Sequence, residues 1–295
     1  MFKKRKEKLD KPMAAPQGSI RDIWNSLLRN KRAVVGLVFI VILIFIALFA
    51  DYIAPFGMTE QNLSNALQHP NSTHWLGTDA LGRDVLSRIL YGARVSVTIG
   101  ISAVIIALFV GGFLGLIAGY YGGKFDAVIM RVCDVLLSIP SILLAIAIVA
   151  SFGSSMRNLI LAIGIGNVPI YARVVRAAVM GVREKQFIEA AHALGVSNTK
   201  IMQRHILPNV LSPIIVQATM GVASSILSAA GLGFIGLGIE ASVAEWGTML
   251  SFGREYIRTH AYLTLYPGLA IMLTILSFNL LGDGIRDAID PKMRN

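Results

Sequence analysis

Apolar and polar positions in this chain fall into long blocks. Runs free of Asp, Glu, Lys and Arg occur at Ala33–Ala50, Val95–Gly123, Val135–Met156, Asn158–Ala172, His205–Ile239 and Ala261–Gly282. A bilayer crossing takes about 20 apolar residues, with ~17–25 the usual range, so the pattern predicts an all-α membrane protein with six transmembrane helices. The fourth run is short, and Arg173 and Arg176 stand where they can snorkel from its end. The fifth is too long for a straight crossing and predicts a break within Gly231–Gly238. Between these two lies a polar island, FIEAAHALGVSNTKIMQRHILPN at 187–209, whose spacing predicts two short helices. Phe187, Ala191 and Leu194 recur at i, i+4, i+7 and predict one apolar face. Gly195 suits the left-handed turn that ends a helix, and Ser197 or Asn198 can cap the next. Pro208 fits the first turn of a following long helix. The island is either a knob presented to another protein or a plain loop between two helices.

Residues 20–32 read as a short amphipathic helix, with Ile23, Trp24, Leu27 and Leu28 toward the membrane surface. The external loop 55–94 is patterned, and either packs on the outer ends of the bundle or faces a partner. Gly111, Gly115 and Gly119, four residues apart, make a flat groove for close helix packing, or line a pathway. Arg131 and Asp134, one turn apart, predict a structural ion pair at the start of the third helix. Pro140 and Pro169 predict interruptions in the third and fourth. Trp246 and Tyr256 are placed for the membrane interface, and the chain from Asn279 onward closes in a turn-rich tail containing Asp283.

Composition agrees: 55% of the 295 residues are hydrophobic and 15% charged, where a soluble domain carries about a quarter charged. The net charge of +10 does not point to nucleic acid. With the N-terminus placed inside, 21 of the 27 Lys and Arg fall on that side and 6 outside. This is the positive-inside distribution, and it predicts both termini in the cytoplasm. The cluster Lys3-Lys4-Arg5-Lys6 reads as a topology determinant near anionic lipid. The segment before the first crossing is too long and too charged for a signal peptide, so that helix is expected to remain as an anchor. The single cysteine, Cys133, excludes an intrachain disulfide.

Enzyme chemistry finds no footing. Gly123-Lys124 is followed by Phe125 and lacks the upstream glycine of a phosphate loop. The five histidines are dispersed and there is no H-E-x-x-H. Gly282-Asp283 lacks the second glycine, Leu280 standing in its place, and the Tyr-Asp partner of an intramembrane aspartyl protease. The crossings also lack the midplane carboxylates expected of a secondary transporter, which favours energy supplied by another subunit.

The island carries a further pattern. Glu189-Ala190-Ala191, three residues, Gly195, nine residues, then His205-x-Leu207-Pro208 resembles the EAA signature of permease subunits in binding-protein-dependent ABC importers. The usual pattern has an aliphatic residue at His205, and the form RHILPN is similar to the dipeptide and oligopeptide branch. LGTDALGRDVLSRILYGARVS at 76–96 and NLLGDGIRDAIDP at 279–291 resemble the C-type permease of that branch, and the likeness extends over about residues 20–291. The resemblance implies a type I ABC importer transmembrane domain with cytoplasmic coupling helices. It implies a second, B-type permease, two cytoplasmic ATPase subunits that hold ATP and Mg, and an extracytoplasmic solute-binding protein, with no cofactor on this chain. Glu189, Ala190, Ala191, Gly195, His205, Leu207 and Pro208 would form the ATPase-docking segment. The domains implied are a basic cytoplasmic N-terminus 1–32, an anchor region 20–75, a permease domain 93–285 and a cytoplasmic tail 286–295. Segments 76–94 and 240–260 would face the binding protein. The setting is a bacterial or archaeal cytoplasmic membrane and the cargo di- or oligopeptides. Nickel chelates, oligosaccharides or another solute remain alternatives, as does an ATP-independent channel or scaffold.

Overall fold

The computed structural model describes residues 20–240 and 242–289 of the protein, residues 20–22 by backbone alone. The cluster Lys3–Lys6 and the last residues of the expected tail lie outside the described residues. Helix α1 (Ile20–Arg29) meets α2 (Lys31–Ile53) at Asn30, whose Oδ1 accepts the N–H groups of Arg32 and Ala33 at 3.1 and 3.3 Å. The amphipathic helix therefore stops at Arg29, and Leu27 does not face the membrane but is buried with Ala33 and Ala288. In α2 the buried positions are Ala33, Gly36, Ile40, Leu43, Ala47 and Ala50, alternately three and four apart, while Val38, Phe45 and Leu48 are exposed. That spacing keeps one seam against the bundle and leaves the remaining apolar surface for lipid.

Helix α3 (Val85–Tyr121) has 37 residues, ~55 Å at ~1.5 Å per residue. The third crossing is not a single helix: α4 (Gly123–Ser138) and α5 (Ser141–Phe152) meet at 83°. Pro140 has no N–H to continue the ladder and holds Ile139 at φ −95°, ψ 123°, outside the helical region. Arg131 and Asp134 do not pair with each other, because α6 (Met156–Arg183) presents better-placed guanidinium groups. Asp134 accepts from Arg173 at 2.5 Å, and Asp126 holds Arg176 by both nitrogens, the second at 2.6 Å. Arg173 and Arg176 thus bridge to α4, and α6 runs unbroken past the buried Pro169.

After α7 (Gln186–Ala193), α8 (Asn198–Ile201) and a π-helical turn (Met202–Ile206), α9 (Leu207–Phe234) completes one helical path from Asn198 to Phe234. It ends in the glycine-rich segment as expected, with Gly236 at φ +84°. Helix α10 (Trp246–Gly253) leads to α11 (Tyr262–Ile289). Asp283 does not stand in a tail turn but inside α11, where Gly284 lets the helix cross α2 so closely that a Cβ would sit 2.2 Å from that of Ala33. Among the described residues five helices are long and apolar enough to cross a membrane, and the bent α4–α5 pair makes a sixth if it counts as one crossing.

Candidate functional site

The island 187–209 is built as a buried base with an exposed apex. α7 has no side-chain cap at Lys185, so its eight residues depend on packing. Ile188 and Ala191 are buried with Ile201, Ile206 and Val210 against Val175, Val179 and Val182 of α6 and Tyr120 of α3. The apolar face thus differs from the one the spacing predicts. Phe187 and Leu194 are exposed, Leu194 to 83%, and Ile188 takes the inward position. Gly195 adopts φ +74° and closes α7 in a double turn: its N–H reaches the carbonyl of His192 at 2.9 Å and that of Val196 reaches Ala191 at 3.1 Å.

The caps on α8 differ from expectation. Ser197 occupies the N-cap position without a side-chain hydrogen bond, and Asn198 accepts from the Tyr120 hydroxyl at 2.9 Å. The same hydroxyl lies 3.4 Å from His192 Nε2, and Arg183 donates to the carbonyls of Gly119 and Tyr120 at 3.2 and 3.1 Å. Pro208 stands in the first turn of α9 as expected, although the helical path behind it already starts at Asn198. Its ring excludes the α-helical carbonyl one turn back, and the backbone widens upstream into the π turn. Asn209 Nδ2 serves the His205 carbonyl at 2.7 Å.

Of the residues marked by the sequence, Glu189, Ala190, Gly195, Leu207 and Pro208 are exposed, His205 is half-buried, and Ala191 belongs to the base. Tyr120 and Arg183 escaped the reading, because their partners lie across the fold. Behind the base, Gly111, Gly115 and Gly119 lie against α6. A Cβ on them would come 2.4 Å from the Val168 carbonyl, 2.3 Å from that of Ala172 and 2.8 Å from Val179 Cβ.

The end of α3 remote from the knob is a polar clamp. Asp84 caps α3 through Ser87 N at 2.8 Å and also holds His74 Nδ1 at 2.9 Å. Asp79 accepts from Arg83 Nε at 2.6 Å, and Arg88, 2% exposed, reaches the carbonyl of Met58 at 3.3 Å. The Tyr262 hydroxyl lies 2.8 and 2.9 Å from the carbonyls of Gln68 and Thr78. Trp246 does not present its ring to the lipid: it is buried over Gly92 and donates to the Ile89 carbonyl at 3.1 Å. Beside it Glu245 caps α10, accepting from Gly247 N at 2.8 Å and Thr248 N at 2.7 Å. Burial pushes its carboxyl above the usual range, against the pull of those donors. Among the described residues no group of three or more His, Cys, Asp or Glu could hold a metal ion.

Residues 111–295 match the family described as binding-protein-dependent transport system inner membrane component, and residues 19–70 match the N-terminal TM domain of oligopeptide transport permease C. The chain is 52% identical to the dipeptide transport system permease protein DppC of Alkalihalophilus pseudofirmus, over 93% of this chain and 90% of that protein. It is 44% identical to the di/tripeptide permease DppC of Pseudomonas aeruginosa, over 94% and 93%. It is also 44% identical to the glutathione permease GsiD of Pectobacterium atrosepticum, over 93% and 92%. Its fold is similar to that of an inward-facing MetNI methionine ABC transporter chain, at 19% identity and TM-score 0.58 over 70% of this chain and 97% of the other. A helical bundle with a presented knob, matched along nearly its whole length, thus has its place: the chain belongs to the family of binding-protein-dependent ABC transport permeases, as a multi-pass inner-membrane subunit that works with ATPase and substrate-binding partners.

Proposed function

We propose that this permease imports di- and oligopeptides across the cytoplasmic membrane of a bacterium or archaeon. In this reading it pairs with a second, B-type permease above two ATPase subunits, and both termini are cytoplasmic. ATP and Mg belong to the ATPases, so this chain transmits work and carries out no bond chemistry. The observation that carries the coupling role is the knob: an exposed apex of Glu189, Ala190, Leu194 and Gly195 on a base buried against α3 and α6. The cargo follows from the relatives, whose names specify dipeptides, di/tripeptides and glutathione.

Mechanically, an ATPase surface gripping the apex moves α7 and α8 as one body, since Ile188 and Ile201 cannot leave their cluster without exposing apolar surface, ~1.5–3 kcal/mol each. Tyr120 links that body to the end of α3, and the unbroken path from Asn198 carries the displacement into α9. The test reconstitutes the chain with its partner permease, ATPases and binding protein in proteoliposomes. ATP-dependent uptake of a labelled dipeptide is expected, together with ATP-sensitive cross-linking of L194C to an ATPase subunit. In Y120F uptake per ATP hydrolysed should fall while the complex stays assembled. Cross-linking of L194C only to the binding protein, or uptake indifferent to ATP, overturns the reading.

A further inference from the structure

At the end of the bundle that carries α1, a polar cleft of about 680 Å³ separates the α1–α2 elbow from the last turns of α11. Arg29, Lys31, Arg32 and Arg286 line it with only Asp283 and Asp287 as carboxylates. Among the described residues none of the six takes part in an ion pair. Asn30 offers Asp287 a long contact of 3.5 Å and spends its oxygen on capping α2. Four cations against two carboxylates leave an excess of two positive charges, to which the start of α2 adds its positive dipole end.

Depth is set by α1. It buries Leu27 and exposes Trp24 and Leu28 to 50% and 47%, the surface of a helix lying at the boundary between headgroups and acyl chains. Arg286 also borders an apolar groove between α9 and α11, lined by Pro213, Val216 and Met220, so charged and greasy surfaces meet at one side chain. A free anion has no use for the second surface. A zwitterionic headgroup leaves the positive excess unanswered. Guanidinium groups suit a phosphodiester because their paired N–H donors match two of its oxygens.

We infer that this cleft holds the phosphodiester headgroup of an anionic phospholipid, in the leaflet where α1 lies. The test is native mass spectrometry of the assembled transporter in detergent, offered phosphatidylglycerol, phosphatidylcholine or inorganic phosphate. The wild type should retain phosphatidylglycerol over phosphatidylcholine, and R29Q/R286Q should weaken that retention roughly thirtyfold. The single variants R29Q and R286Q, on separate helices, should each lose about fivefold and serve if the double variant assembles poorly. K124Q/R131Q removes the same charge from the exposed side of α4 and should retain the lipid as wild type does. Equal retention of both lipids, or equal loss in both double variants, overturns the inference. Displacement of the lipid by millimolar inorganic phosphate overturns it too, and assigns the cleft to a free phosphate.

Discussion

Gly195 and Glu189 separate two demands on one residue. A Cβ on Gly195 would meet nothing within 4 Å, so glycine is required there by φ +74° and not by space. Gly195→Val should cost ~1–2 kcal/mol locally, leave membrane insertion intact, and uncouple ATP hydrolysis from uptake by tilting the apex. The Glu189 side chain is exposed and makes no hydrogen bond or ion pair among the described residues, so Glu189→Lys should spare the thermal midpoint while abolishing coupled uptake. Normal uptake and normal stimulation of the ATPase in both variants would refute the docking role. Glu245 is a different kind of residue, a buried carboxylate whose loss leaves the Gly247 and Thr248 amides without acceptors. Glu245→Ala should destabilise the protein by ~2–3 kcal/mol. Because burial raises this carboxyl, the folded state binds its proton more tightly than the unfolded state does. Its contribution is therefore largest at acid pH and shrinks as pH rises from the ordinary carboxylate value through the raised one. The gap between the unfolding midpoints of wild type and variant should narrow as pH rises through that range.

At the level of elements, the glycine stripe of α3 makes a paired prediction. Gly115→Leu drives a side chain into the Ala172 carbonyl and must push α3 from α6, costing at least ~1–3 kcal/mol. Gly112→Ala, three residues away, meets only Leu108 and Val175 at 3.7 and 4.0 Å and should match or exceed wild-type stability. Thermal unfolding in one detergent distinguishes the two; equal losses would show that the stripe is not the contact. The sequence made this stripe visible because its period is local. It also made visible the six apolar blocks and the end of α9. The corner at Pro140 was half legible: proline announces an interruption, but 83° depends on what α6 offers to α4. Spacing alone misplaced the inner face of α7, since Phe187 and Ile188 are equally apolar and only the cluster behind them decides which turns in. Asp134 likewise had a plausible partner at Arg131, and the real one, Arg173, is 39 positions away.

For the whole molecule, the pair Asp126–Arg176 sews the first turn of α4 to α6 and so closes the corner into a unit. Both side chains are less than a third exposed. Asp126→Asn should lower stability by ~1–2 kcal/mol, and the exchange D126R/R176D should recover part of it, read as the unfolding midpoint of the assembled complex. No recovery would place the cost in the loss of the carboxylate's solvation and not in the pair.

One feature of the bundle has two ends worth holding together. α3 is anchored at one end by Asp84 and the clamp around Arg88, and at the other by Tyr120 against the knob, without a proline between. A strut joining two surfaces cannot favour traffic one way in energy terms. If a docked binding protein shifts this helix and thereby tightens the grip on the ATPases, nucleotide-bound ATPases must strengthen the outer docking by the same factor. Affinity measured on either side of the membrane is then a gauge of events on the other.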